Sequence, residues 1–281
     1  EEREARAVEE AKQMAIQRAK ELESRSEDDV IAQFIQNGGD ESLLQLIEDL
    51  RAKLSASEAK RKKLHGELQD LRGNVRVLVR ARPFLRGDGD NHESCLKANK
   101  DCTSMTLTQS GRKEPSLYHF DHVFDQSTSQ ERVYGEVSDL IQSALDGYRV
   151  CIFSYGQTGS GKTWTMSGER LGSNRGIIPR AVEQIIEQTL SMKEQGWDMT
   201  VSVSVLELYN EDLKDLLPEN GSVVVPGEKS KDKLKISYQQ GRVAVSGLNS
   251  VSIDTTSTHS GMRQLEALLE RSGRARTTVA T

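Results

Sequence analysis

Gly156-Gln157-Thr158-Gly159-Ser160-Gly161-Lys162-Thr163 fits the pattern G-x-x-x-x-G-K-[ST], the signature of a loop that cradles phosphate. Gly156, Gly159 and Gly161 let the backbone fold tightly enough for successive N–H groups to point at one anion. Lys162 has the reach to meet β- and γ-phosphates, and Thr163 carries a hydroxyl for Mg2+. The pattern has this meaning only between a strand and a helix. Just upstream, Val150-Cys151-Ile152-Phe153 is a short apolar run of the kind a buried strand shows. Just downstream, Lys162 to Met166 can begin a helix whose N-terminal dipole favours anions. A chance glycine-rich turn would carry neither the Lys-Thr pair nor the strand.

Working toward the N-terminus, Gln130 to Leu145 places Val133, Val137, Leu140, Ile141, Ala144 and Leu145 at helical spacing, closed by Asp146-Gly147. Tyr118 to Phe124 reads as a strand, and 86 to 116 as polar loop with one strand at Ser104 to Thr108. Asn74 to Arg80 alternates β-branched and polar residues, a further strand ended by Arg82-Pro83. Strands alternating with helices define an α/β class.

Before these strands lies a different kind of sequence. Leu43, Ile47, Leu50, Leu54, Ser57, Arg61, Leu64, Leu68 and Leu71 follow an unbroken spacing of four and three. Apolar residues at nearly all of these positions predict a two-stranded coiled coil over 43–73, softened in the middle by Ser57 and Arg61. Ser42 with Gln45 makes a capping box at its start. Residues 1–36 favour helix, with Val8, Ala15 and Leu22 as a weak heptad. The segment 37–42, with Asn37-Gly38-Gly39-Asp40, is a break.

Downstream of the loop, Ile177-Ile178-Pro179-Arg180 leads a helix over Ala181 to Met192. Met199 to Tyr209 reads as one long strand, Leu234 to Ser237 with Arg242 to Val245 as a hairpin, and Ser257 to Arg271 as a helix. Lys229, Lys231, Lys233 and Lys235 read as a solvated charge run rather than a partner contact.

Composition narrows the partners. Of 281 residues, 29% are charged and 35% hydrophobic, which fits a chain with an elongated, solvated helix beside its globular part. A net charge of -5 argues against general affinity for nucleic acid. Cys95, Cys102 and Cys151 lack metal or disulfide spacing and read as reduced thiols of a cytosolic or nuclear protein. His119 and His122 alternate with apolar residues, as on a half-exposed strand rather than a metal site. No run approaches the ~20 apolar residues that a membrane span needs. The acidic start without Met reads as a chain open at both ends.

Several motifs together resemble the kinesin motor domain. They are Arg80-Ala81-Arg82-Pro83, Phe120-Asp121-His122-Val123-Phe124, Gly147-Tyr148, and the run from Phe153 through Thr163 to Trp164-Thr165-Met166. Glu207-Leu208-Tyr209-Asn210-Glu211, Asp215-Leu216-Leu217 and Gly247-Leu248 fit the same family. A coiled coil that enters the first strand through Leu71-Arg72-Gly73-Asn74 is similar to the neck of the C-terminal-motor kinesins, which are minus-end-directed. The resemblance runs from about residue 60 to the end.

The resemblance implies a P-loop NTPase fold, a central mixed sheet flanked by helices, with 74–281 as the N-terminal part of the motor. It implies ATP and Mg2+ held by Gly156 to Thr163, with Lys162 and Thr163 acting on the reacting phosphate. Arg80, Arg82 and Pro83 would line the adenine side and Trp164 would stack on the base. Glu207 is then structural and not a Mg2+ ligand. Microtubules are the implied partner, with no nucleic acid and no membrane; the seam adds a coiled-coil partner, a second copy or a different chain, which one seam does not separate. The implied location is the cytoplasmic microtubule cytoskeleton, including the spindle. Kinesins also carry Asn-x-x-Ser-Ser-Arg-Ser-His and Asp-Leu-Ala-Gly-x-Glu, neither of which occurs in the 281 residues. The polypeptide as it stands is therefore expected to be inactive alone. The competing expectation is a coiled-coil interaction protein whose motor-like domain binds nucleotide without hydrolysing it. A GTPase is disfavoured by the lack of an Asn-Lys-x-Asp guanine reader.

Overall fold

A computed structural model describes residues 41–85, 88, 94–108, 111, 114–169, 172–218, 234–239 and 242–276. The expected helix over 1–36, the glycine break at 37–40, Lys229, Lys231, Lys233 and 277–281 lie outside them. The backbone divides into one unit ending at Gln69, to which 195–197 also belong, and a second formed by the rest of the chain from Asp70.

The first unit is built on helix α1, Glu41–Arg72, about 48 Å long at 1.5 Å per residue. Leu50, Leu54 and Leu64 stand 55, 56 and 53% exposed along one stripe. Gly73, at a φ of 88°, ends α1, and its N–H donates to the Asp70 carbonyl.

The second unit is α/β, as expected, but its strands pair as five small sheets among the described residues rather than one central sheet. Strand β1 (Leu78–Arg80) runs parallel to β5 (His122–Phe124), with Val79 opposite Val123. Between them the chain forms an antiparallel sheet of β2 (Leu96–Ala98), β3 (Ser104–Leu107) and β4 (Ser116–His119). The expected single strand from Tyr118 to Phe124 breaks at Phe120-Asp121. There the Asp121 carboxylate accepts the Val77 N–H at 2.7 Å, which turns the chain from one sheet to the other.

Helices α2 (Gln130–Gly135) and α3 (Ser138–Leu145) replace the one helix expected over 130–145. Ser129 caps α2 by accepting the Arg132 N–H. Residues 150–155 join no strand among the described residues, so the buried strand expected before the loop does not form. Phe153 and Tyr155 are 80 and 95% exposed. Then come α4 (Lys162–Met166) and α5 (Ile177–Glu194), with Pro179 in the first turn of α5.

The long strand expected over 199–209 is two. Strand β6 (Ser202–Val203) pairs with β11 (Val251–Ser252), while β7 (Leu206–Tyr209) pairs with β8 (Asp212–Asp215). The β7–β8 turn holds Asn210 and Glu211 at φ 49° and 70°. Two left-handed residues in a two-residue hairpin loop are the type I′ geometry that matches strand twist. Strands β9 (Lys235–Gln239) and β10 (Arg242–Ser246) form the expected hairpin. Helix α6 (Thr258–Ala275) follows, capped by Ser257. No helix among the described residues is long and apolar enough to cross a membrane.

Two cores hold this unit. Ile186 of α5, Leu217, Ile253, and Met262, Leu265 and Leu268 of α6 form the larger. Gly261 permits the approach: a Cβ there would come within 2.6 Å of the Ile186 Cδ1 and 2.5 Å of the Asp254 carbonyl oxygen. The smaller core joins Phe124, Val133, Val137 and Ile177, with Leu78, Ile152 and Met166 packed against it. This second core seats the ends of the phosphate loop. Leu265 is 1% exposed, so Leu265→Ala should destabilise the fold by about 2–5 kcal/mol. Chemical denaturation of both proteins measures it, and a loss below ~1 kcal/mol would mean that the α5–α6 core collapses around the gap.

Candidate nucleotide site

The loop is shaped by its glycines. Gly159 and Gly161 have φ of 77° and 93°, in the left-handed region that side chains disfavour. Gly156 has a φ of 158°, and a Cβ on it would also lie 2.5 Å from the Ser160 Oγ. The Ser160 N–H donates to the Gln157 carbonyl at 3.1 Å, which closes the turn. Lys162 then reaches back across the loop. Its Nζ donates to the carbonyls of Gly156 at 2.9 Å and Gln157 at 2.8 Å. An ammonium held on two neutral carbonyls keeps its charge uncompensated, ready for an anion. Thr163 is exposed on the first turn of α4, as are Gln157, Thr158 and Gly159 on the loop. A backbone turned by glycines, with one ammonium laid across it and one hydroxyl beside it, fits the phosphates and Mg2+ of a nucleotide.

Arg82, Pro83 and Trp164 lie at the sides of the loop or just beyond it. The stem of Arg82 passes the Gly161 position, its Cδ 3.7 Å from where a Cβ would sit. The Arg82 Nη2 donates to the Asp88 Oδ1 at 2.9 Å, and this bond raises the guanidinium pKa still further. Pro83 is exposed. Trp164 is 41% exposed on α4, so part of its ring faces solvent.

Arg80 is placed differently from Arg82. Its Nη1 donates to the Gln130 Oε1 at 2.7 Å and the Thr165 Oγ1 at 3.1 Å, and its Nη2 to the Thr128 carbonyl at 3.2 Å. Burial lowers its pKa. In this arrangement Arg80 ties β1 to α4 and to the start of α2. Gln130, 4% exposed, completes the tie: its Nε2 donates to the carbonyls of Trp164 at 2.7 Å and Asn174 at 3.2 Å. Sequence reading missed Gln130. The only available hint was a polar residue at the first, inward-facing position of an amphipathic helix.

Glu207, on β7, has its Oε1 3.9 Å from the Arg276 Nε. It belongs to the hairpin and not to the loop.

The loop has the P-loop pattern and sits in an α/β unit that follows a long helix. A family profile described as microtubule binding matches residues 54–217. The chain belongs to the kinesins. It is 48% identical to the kinesin-like protein KIN-14C of Arabidopsis thaliana over 178 residues, 61% of this chain and 22% of that protein. It is 39% identical to KIN-14D of the same plant over 234 residues, covering 81% and 29% of the two chains. Kinesin-like protein 2 of Schizosaccharomyces pombe is 40% identical over 241 residues, 82% and 27% of the two. This chain therefore spans less than a third of the relatives it matches, which are of the C-terminal-motor kind. Among solved structures, it is similar to the C-terminal motor and motor homology domain of Kar3Vik1 fused to a synthetic heterodimeric coiled coil. The TM-score is 0.67 at 30% identity, covering 94% of this chain and 64% of that one. The motor domain of the Kar3-like kinesin from Ashbya gossypii gives 0.56 at 31% identity, covering 72% and 60%.

Proposed function

We propose that the chain supplies the neck and the nucleotide-binding part of an ATP-driven, minus-end-directed microtubule motor. In this reading 43–73 is the dimerising neck and 74–281 the N-terminal part of the motor, working on cytoplasmic and spindle microtubules. The carrying observation is the Lys162 ammonium drawn across a glycine-shaped loop by two carbonyls. Gly156 to Gly161 would present N–H groups to the phosphates, Lys162 would neutralise the outer ones, and Thr163 would place Mg2+. Bound ATP supplies the phosphoryl group whose transfer to water drives the motor. The test is phosphate release, with and without microtubules, by the chain joined to its natural downstream sequence. Microtubule-stimulated turnover supports the motor. Microtubule and nucleotide binding without turnover assigns the chain to the non-hydrolysing interaction proteins.

Trp164 follows the loop directly and is half open, and stacking on adenine is its proposed role. Such a contact is worth on the order of 1 kcal/mol. Trp164→Ala should weaken ATP binding severalfold while leaving inorganic triphosphate binding nearly unchanged, read by titration calorimetry. Equal losses for both ligands would place the ring in the supporting core.

A further inference from the structure

The heptad spacing fixes more than the seam. With Ile47, Leu54, Arg61 and Leu68 at a and Leu43, Leu50, Ser57, Leu64 and Leu71 at d, the flanking g and e positions of a parallel, in-register pair follow. Lys53 of one copy meets Glu58 of the other, and Glu67 of one meets Arg72 of the other. Both pairs are opposite in charge, and each occurs twice in a symmetric dimer. Lys60 with His65, between them, supplies no such pair.

Arg72 already has a partner. Its Nη1 donates to the Asp139 Oδ2 at 2.7 Å, with the two side chains 51 and 44% exposed. Asp139 lies in the first turn of α3, and both residues belong to the second unit, which takes in the last turn of α1 from Asp70. Glu67 has only a loose neighbour on its own helix, the Lys63 Nζ at 3.8 Å. We infer that Asp139 and Glu67 of a second copy compete for Arg72, so that the head contact weakens the end of the neck dimer nearest the motor. The inference rests on the proposed self-association of α1. Its sign follows from charge. Even if one guanidinium touched both carboxylates, two anions at one cation repel each other, so each binds less tightly than it would alone. The competition acts at the last two turns of α1, where Leu71 is 89% exposed.

The experiment is sedimentation velocity over a concentration series on the 281-residue chain at low salt. Asp139→Asn keeps the side-chain shape and should tighten the dimer about three- to tenfold. That range is what two weak exposed pairs per dimer give. Glu67→Gln and Arg72→Gln should each loosen it by a similar factor. In a Glu67→Gln background, Asp139→Asn should change nothing. At about 0.5 M salt all these differences should shrink. A dimer that Asp139→Asn leaves unchanged or weakens overturns the competition while sparing self-association. So does a dimer indifferent to Arg72→Gln, a variant that alters no residue of α3. A wild-type chain that stays monomeric at high micromolar concentration overturns self-association and the competition with it.

Discussion

Lys162→Ala is expected to weaken nucleotide binding by roughly 10- to 100-fold and to abolish microtubule-stimulated ATPase in a chain carrying its natural downstream sequence. The first estimate follows from removing charge-assisted bonds worth about 1.5–3 kcal/mol. The second is larger because donors aimed at charge that develops in the transition state contribute more to rate than to ground-state affinity. The Lys162 Nζ is held by two backbone carbonyls and, among the described residues, by no carboxylate, so its loss should leave the fold intact. An unchanged thermal midpoint separates this from unfolding. In the 281-residue polypeptide the same substitution should show only the binding defect. The residues there lack the two switch patterns, and a P-loop without groups that position water turns over slowly. Rapid microtubule-stimulated turnover by the short chain, lost on Lys162→Ala, would mean that other residues here replace the switches.

Replacing Leu50 and Leu68 together by Ser should convert dimers to monomers. Both leucines stand in the exposed stripe of α1, at 55 and 44%. A dimer would bury the exposed half of four such side chains, about 0.7–1.5 kcal/mol each. Their loss amounts to about a hundredfold or more in dissociation constant, on a seam that Ser57 and Arg61 already soften at its middle. Sedimentation of the full chain reads the outcome. Dimers that persist in the double variant would assign association to another surface.

The helices and the loop were legible in the sequence because their signals are local. The spacing of α1, Pro179 near the start of α5 and the glycines around Lys162 each act within a few residues. What was not legible depended on distant partners. The break at Phe120-Asp121 needs the Val77 N–H, more than forty residues away in the chain. The division of 199–209 into β6 and β7 reflects two different partners, β11 and β8, and only Asn210 hinted at the tight turn. Arg80 shows the same limit within the site. Its motif, shared with Arg82 and Pro83, suggested a base-facing role, but said nothing of the protein groups its guanidinium also meets, Gln130, Thr128 and Thr165. A motif fixes which residues gather at a site, but not which face the ligand and which support its wall.

Gln130 bears on how alleles of this gene would be interpreted. Its amide meets the Arg80 guanidinium on one side and the Trp164 and Asn174 carbonyls on the other. Gln130→Glu would place an acceptor against two carbonyls, and Gln130→Leu would leave each of the three groups one hydrogen bond short. Either change loosens the helix that begins with Lys162. In a screen of the proposed motor, a strain carrying such an allele should score alongside P-loop mutants, and suppressors selected against it should map to the residues around Gln130 rather than to Lys162 or Thr163.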